Sequence, residues 1–174
     1  TQRDNVIEIV ADIDELTKIS PRFKSLENTK LYYYITAKLL REFKKVYVNI
    51  VPKTENASMT GETIVNTEII SKLKKEGFNI VEKKDDAEYF LTGDFSVEYI
   101  GNKITLPDGK IMDFGEIHSG TINVELKDVK KNEVVLSKNF VGIKGFGKTK
   151  KESENNTIKK LGDSVAEYII STWK

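Results

Sequence analysis

The sequence contains no cysteine, one histidine, three prolines and one tryptophan. Without cysteine there is no disulfide, no thiolate metal site and no cysteine nucleophile. His118 would have to serve any Ser–His–acid triad, and no G-x-S-x-G turn accompanies it. Net charge is nearly absent: 28 Lys+Arg face 27 Asp+Glu, a formal +1. That balance argues against a nucleic-acid partner, which calls for a net basic surface. Long apolar runs are missing as well, and the longest, Leu31–Ile35, is far short of a bilayer span.

What is present is a 174-residue chain with 39% hydrophobic residues, enough for a self-sufficient core. Residues 1–45 form an expected N-terminal helical extension. Val6, Ile9, Val10, Ile13 and Leu16 step by three and four after the capping residues Asp4 and Asn5. Ser20-Pro21 interrupts that run. Leu31, Ile35, Leu39 and Phe43 make a second stripe. Consecutive Tyr32, Tyr33 and Tyr34 suit a strand as the alternative, but the four-step stripe outlasts any two-step alternation. On a helix the three tyrosines point roughly 100° apart, so at least one is left exposed as a contact candidate.

The pattern changes at Val46. Val46–Val51 is a short β-branched strand ended by Pro52. Val65, Ile69 and Leu73 then lie one turn apart, followed by Lys72, Lys74, Lys75 and Gly77, which suit a helix C-terminus. Ile80 and Val81 suggest a second short strand. Tyr89, Leu91, Gly93, Phe95, Val97 and Tyr99 alternate with polar residues, which requires a strand with one buried face. Pro107-Asp108-Gly109 is turn chemistry for a hairpin between Lys103–Leu106 and Lys110–Phe114. Thr121–Lys127 alternates with Ile122, Val124 and Leu126 inward, and Val134–Val141 reads as a strand with a bulge around Lys138. Ile158, Leu161, Val165 and Ile169 form the stripe of a final helix, capped by Thr149 or by Ser153. Gly162 inside it suggests a helix lying close on a sheet. The expected fold class is α+β: a two-layer, mainly antiparallel sheet at residues 46–174, with two amphipathic helices on one face.

Chemistry-bearing patterns are sparse. His118 with Asp113 and Glu116 lacks the ligands and spacing of a metal site, so it reads as a solvated loop histidine. Gly142, Gly145 and Gly147 have G-x-x-G-x-G spacing, neither a dinucleotide fingerprint nor a Walker loop. They would let a strand end bend into the helix, leaving Phe146 exposed for contact. Residues 144–160 hold six lysines and two acids, whereas residues 82–98 hold six acids and two lysines. Such windows are solvated faces or surfaces that orient a partner or a second copy. Phe146, Lys148, Lys150 and Lys151 therefore join the three tyrosines as contact candidates. No catalytic, cofactor or metal residue is assigned.

Several segments resemble a known group. Val46–Val51 with Ile69–Glu82 looks like the strand, helix and L-x-x-x-G-F-x-V-V-E segment of small bacterial envelope domains. Asp86–Phe95 is similar to their A-D-Y-x-L-x-G-x-V strand, and Ile122–Leu136 to their V-x-L-x-L-x-D-x-x-T-G-x-V-L hairpin. Gly145-Phe146-Gly147 resembles their glycine-rich entry to the last helix. The group includes the curli-secretion lipoprotein, flagellar assembly protein T, the TolB amino-terminal domain and the penicillin-binding-protein activator lipoproteins. Lys131-Asn132 stands where Thr-Gly is usual, although Asn tolerates the left-handed turn.

The resemblance implies a non-catalytic, outer-membrane-anchored lipoprotein domain in the periplasm, working by contact with an envelope protein. Its membrane link would be a lipidated cysteine upstream of Thr1, and a homo-oligomer is left open. Thr1 opens no leader pattern, so the chain reads as cytosolic or as already trimmed. A lipopolysaccharide-assembly lipoprotein of the LptE type has a similar element order. A cytosolic ligand-binding or enzymatic domain using the Gly142–Gly147 turn is the rival from another class.

Overall fold

The computed structural model describes residues 44–53, 59–105 and 107–173. The expected helices of the first 43 residues, with Tyr32, Tyr33 and Tyr34, lie outside the described residues. Along the chain run β1 (Lys45–Pro52), α1 (Met59–Lys75), β2 (Asn79–Ile80), β3 (Tyr89–Thr105), β4 (Ile111–Asp128), β5 (Glu133–Gly147) and α2 (Lys150–Thr172). A short 3-10 turn, Lys84–Asp86, precedes β3. The sheet order is β2-β1-β3-β4-β5. β3, β4 and β5 form an antiparallel meander, and β1 runs parallel to both β2 and β3.

Side-chain periodicity explains the layers. Val46, Val48 and Ile50 of β1 alternate inward, as do Leu91 and Phe95 of β3 and Ile122, Val124 and Leu126 of β4. Val65, Ile69 and Leu73 of α1 meet them, together with Ile158, Leu161, Val165 and Ile169 of α2. Each such burial is worth roughly 1.5–3 kcal/mol, so this one interface dominates the stability. The helices also join each other at the surface, where Lys72 Nζ lies 2.7 Å from Asp163 and 3.5 Å from Glu167. Two turns use the left-handed region as their residues suggest: Gly77 after α1 has φ 89°, and Asn132 between β4 and β5 has φ 57°.

Four local expectations need correction. The hairpin strands around Pro107 are not separate elements but the far ends of β3 and β4, paired through Lys103 with Asp113 and Thr105 with Ile111. The second strand is Asn79–Ile80, although the Val81 N–H still donates to Val46 O at 3.0 Å. Lys138 pairs regularly with Val124, and the extra residues of β5 fall on either side of it, at Val135 and around Val141 and Gly142. Gly162 faces α1 instead of the sheet: a Cβ there would stand 3.1 Å from Val65 O and 3.0 Å from Glu68 Cβ. The missing side chain therefore sets the helix–helix distance.

Pairing lengths produce one protruding feature. β1 reaches along β3 only to Phe95, and β5 begins its pairing with β4 at Glu116. Past those points β3 and β4 continue together as a two-stranded arm, flanked by no further strand among the described residues.

Candidate functional site

The contact candidates of the second half gather at the N-terminal end of α2, beside the root of this arm. The Thr149 hydroxyl accepts from the Glu152 N–H at 3.2 Å, while Glu152 Oε2 accepts from the Lys148 N–H at 2.8 Å. The first bond satisfies an orphan donor of the first turn and places the cap at Thr149, and the second ties the residue before the cap to the helix. Ser153 is inside the helix. Lys148, Lys150 and Lys151 are all exposed around this cap. The Lys150 ammonium stands 4.3 Å from the Tyr99 ring centre, and Lys151 lies 3.4 Å from Glu154. Phe146 is half-buried instead of exposed, with the Lys160 ammonium 5.4 Å from its ring centre. Its carbonyl accepts from Asn156 Nδ2 at 2.8 Å, which pins this strand end to the helix.

The glycines divide in role. Gly142, with φ 73°, sits in a bulge of β5, whereas Gly145 and Gly147 lie directly under α2. A Cβ on Gly145 would be 2.3 Å from the Thr157 backbone nitrogen, and one on Gly147 2.4 Å from that of Ser153. At Gly145 and Gly147 the helix backbone fills the space that a phosphate would need, so these two glycines form a packing contact.

His118 is not a solvated loop residue. It lies on β4 opposite Tyr99, only 8% exposed, with its ring 5.3 Å from the Tyr99 ring. Its Nδ1 is 2.6 Å from Ser153 Oγ. Ser153 is fully buried, and its hydroxyl donates to Lys150 O at 3.0 Å. With the single hydroxyl proton so directed, Nδ1 carries the hydrogen donated to Ser153. Desolvation holds the imidazole below its ordinary pKa of 6.5, opposed by Glu154 and Glu116 and assisted by Lys150. The Tyr99 phenol is pushed up, chiefly by its hydrogen bond to Glu116. A nucleophile needs an approach path, and Ser153 has none. Asp113, the other residue of the histidine cluster, is exposed and accepts from the Gly115 N–H at 2.9 Å, closing its own bend. Among the described residues no group of three His, Asp or Glu is arranged to hold a metal ion.

The hairpin of the arm is expected from the sequence, but the exposure of its apolar side chains is not. Ile111 is 67% exposed, and Met112, Ile100 and Tyr99 are each more than 40% exposed. The usable signal was the pairing of apolar residues on both sides of Pro107-Asp108-Gly109, next to strands already long enough to fill the core. The acidic window of residues 82–98 does not form one surface. Asp85 and Asp86 sit on the 3-10 turn, Glu88 lies 3.8 Å from Lys130, and Asp94 accepts from Asn123 Nδ2 on the outer sheet face.

Among the described residues no helix is long and apolar enough to cross a membrane. No family model and no curated protein matches the chain. Among solved structures it is similar to a minor lipoprotein from Acinetobacter baumannii, with a TM-score of 0.49 and 11% identity over 74% of this chain and 93% of that one. It is similar also to PelC from Paraburkholderia phytofirmans, solved as a dodecamer, at TM-score 0.41 and 19% identity over 73% and 85% of the two chains. TolB from Acinetobacter baumannii matches at TM-score 0.39 and 15% identity, over 74% of this chain and 28% of TolB.

Proposed function

We propose that the chain is a non-catalytic domain of an envelope lipoprotein, held at the outer membrane by a lipid anchor and working by contact with an envelope protein. The observation that carries this reading is the β3–β4 arm. It exposes Tyr99 and Ile100 at its root, where Lys150 stands over the Tyr99 ring, and Ile111 and Met112 toward its tip. Large apolar side chains left exposed along a projecting element mark an interaction surface. The sealed Ser153–His118 pair supports a role without covalent chemistry. The close packing of α2 on Gly145 and Gly147 speaks against the cytosolic rival that uses the Gly142–Gly147 segment.

Two variants test it: Ile111→Asp with Met112→Asp, and charge reversal of Lys148, Lys150 and Lys151 to Glu. All five side chains are exposed, so thermal unfolding stays within a few degrees of the parent. Pull-down from envelope extracts of the native host should then lose its partner in both variants. Unchanged capture by folded variants would refute the contact surface. Recovery of the full-length precursor in the cytosolic fraction would refute the envelope assignment.

A further inference from the structure

The arm is not a uniform ribbon. Its root is packed: Ile117 of β4 is fully buried, and His118 Nδ1 lies 2.6 Å from Ser153 Oγ. Tyr99 stands there between the His118 ring at 5.3 Å and the Lys150 ammonium at 4.3 Å. Further out the ladder is interrupted. Gly101 pairs with Ile117 and Lys103 with Asp113, so Asn102 alone on β3 faces Phe114, Gly115 and Glu116 of β4. Glycine occupies both strands at this gap with positive φ, 117° at Gly101 and 74° at Gly115. Beyond it pairing resumes for Lys103 with Asp113, Ile104 with Met112 and Thr105 with Ile111. Residues 107–113 are all exposed. The tip makes its own bonds: Lys110 Nζ lies 3.3 Å from Asp108, and the Lys110 N–H donates to Asp108 Oδ1 at 3.1 Å. Among the described residues no hydrogen bond, ion pair or ring contact ties this tip to either helix or to the rest of the sheet.

We infer that the arm is jointed: its tip, from Lys103 to Asp113, pivots as one paired unit about Gly101 and Gly115 while the root stays fixed on α2. The gap removes the cross-strand bonds that stiffen a ribbon, and glycine has no Cβ to restrict φ and ψ. Hinges take this form, in which a few residues absorb the change in backbone angles. The two sides of the joint differ. A Cβ on Gly115 would stand 2.6 Å from the Gly147 carbonyl oxygen, whereas one on Gly101 would meet nothing within 4 Å. β4 is therefore braced against the end of β5, and β3 is the side that yields. Asp113 limits the swing, because its Oδ1 accepts from the Gly115 N–H at 2.9 Å across the joint. The contact surface thus has two parts, with Tyr99 and Ile100 on the root and Ile111 and Met112 on the moving tip. A partner seated on the root is clasped by the tip. That use rests on the contact reading above; the joint itself does not.

Because the chain has no cysteine, nitroxide labels can be placed in pairs on the whole protein. Lys110→Cys with Lys159→Cys spans tip and α2, and Glu125→Cys with Lys159→Cys spans sheet and α2, all at exposed positions. Pulsed electron–electron resonance on frozen samples captures the spread of a nanosecond-to-microsecond motion, and the tip pair should be about twice as broad as the body pair or more. Asp113→Ala should broaden the tip pair further and leave the body pair and the unfolding temperature unchanged. Cross-strand proton contacts between Lys103 and Asp113, and between Thr105 and Ile111, should persist with and without Asp113→Ala outside the substituted residue itself. The inference is overturned if tip and body distributions are equally narrow, or if Asp113→Ala leaves the tip distribution unchanged. It is overturned equally if the cross-strand contacts are missing, which would mean a melted hairpin. No partner enters this measurement, so a rigid arm leaves the pull-down prediction standing, and unchanged capture there leaves the joint standing.

Discussion

The side chain of Asn66 acts as a missing strand for Ile50. Its Oδ1 accepts from the Ile50 N–H at 2.9 Å and its Nδ2 donates to the Ile50 carbonyl at 2.8 Å. β2 pairs with only Lys45 and Val46, so the far half of β1 lacks a neighbour on that side among the described residues. Ile50 is fully buried, and its backbone groups must be paired somewhere. Asn66→Ala strands a buried donor and acceptor, and urea unfolding should show a loss of about 2 kcal/mol. A loss within the scatter of surface substitutions would mean that water satisfies β1 unaided.

The contact between α2 and β5 leads to a graded prediction. A methyl group on Gly145 meets the Thr157 backbone nitrogen at 2.3 Å, which only moving the helix can relieve. A methyl on Gly120 meets the Leu161 and Thr157 side chains at 2.8 Å, and these can shift. Gly145→Ala should therefore cost about 3 kcal/mol and Gly120→Ala about 1 kcal/mol in denaturant unfolding. Equal costs would remove the distinction between backbone and side-chain contact.

These elements also mark what the sequence disclosed. Val65, Ile69 and Leu73 announce α1 through spacing alone, because a three-turn stripe has one sensible burial. Ile122, Val124 and Leu126 do the same for β4 with period two. Asn66 gave no such signal: one polar residue on a helix is ordinary, and its value depends on β2 being short. The burial of His118 leaves no local mark, because the residues around it in sequence are polar. Pairing with Tyr99 on one side and α2 on the other buries it, and both partners are distant in sequence. The arm was visible only as two strands and a turn, since exposure depends on where β1 and β5 stop.

His118 makes stability depend on pH. Burial lowers its folded-state pKa below the ordinary 6.5, while Glu154 and Glu116 partly restore it and Lys150 lowers it further. The Ser153 hydroxyl and the Tyr99 ring are its other neighbours. Between the two pKa values the unfolded chain holds more protons than the folded one. The contribution is thus complete above about pH 6.5 and is lost as pH falls through the folded value. Unfolding temperature should drop between about pH 7.5 and 5.5 in the parent and change less in His118→Asn. Superimposable pH profiles would show that the imidazole titrates alike in both states.

Trp173 closes the opposite end of the core, and it continues the four-residue series Leu161, Val165, Ile169 by one more step. It is buried just after α2, stacked on Phe78 at 5.6 Å and edge-on to Tyr89 at 4.6 Å. Its backbone N–H donates to Ile169 O at 2.9 Å, so the last turn is held while the ring joins the segment after α1 to the start of β3. As the single tryptophan it is also the only indole reporter of folding. Native emission should be blue-shifted and move red in one step with the circular-dichroism transition. Trp173→Ala should cost about 3–5 kcal/mol, by removing a large ring that three elements share. Trp173→Phe, which keeps an aromatic face against Phe78 and Tyr89, should cost roughly 1 kcal/mol. If the fluorescence change precedes the loss of secondary structure, this end frays independently, and both substitutions will cost little.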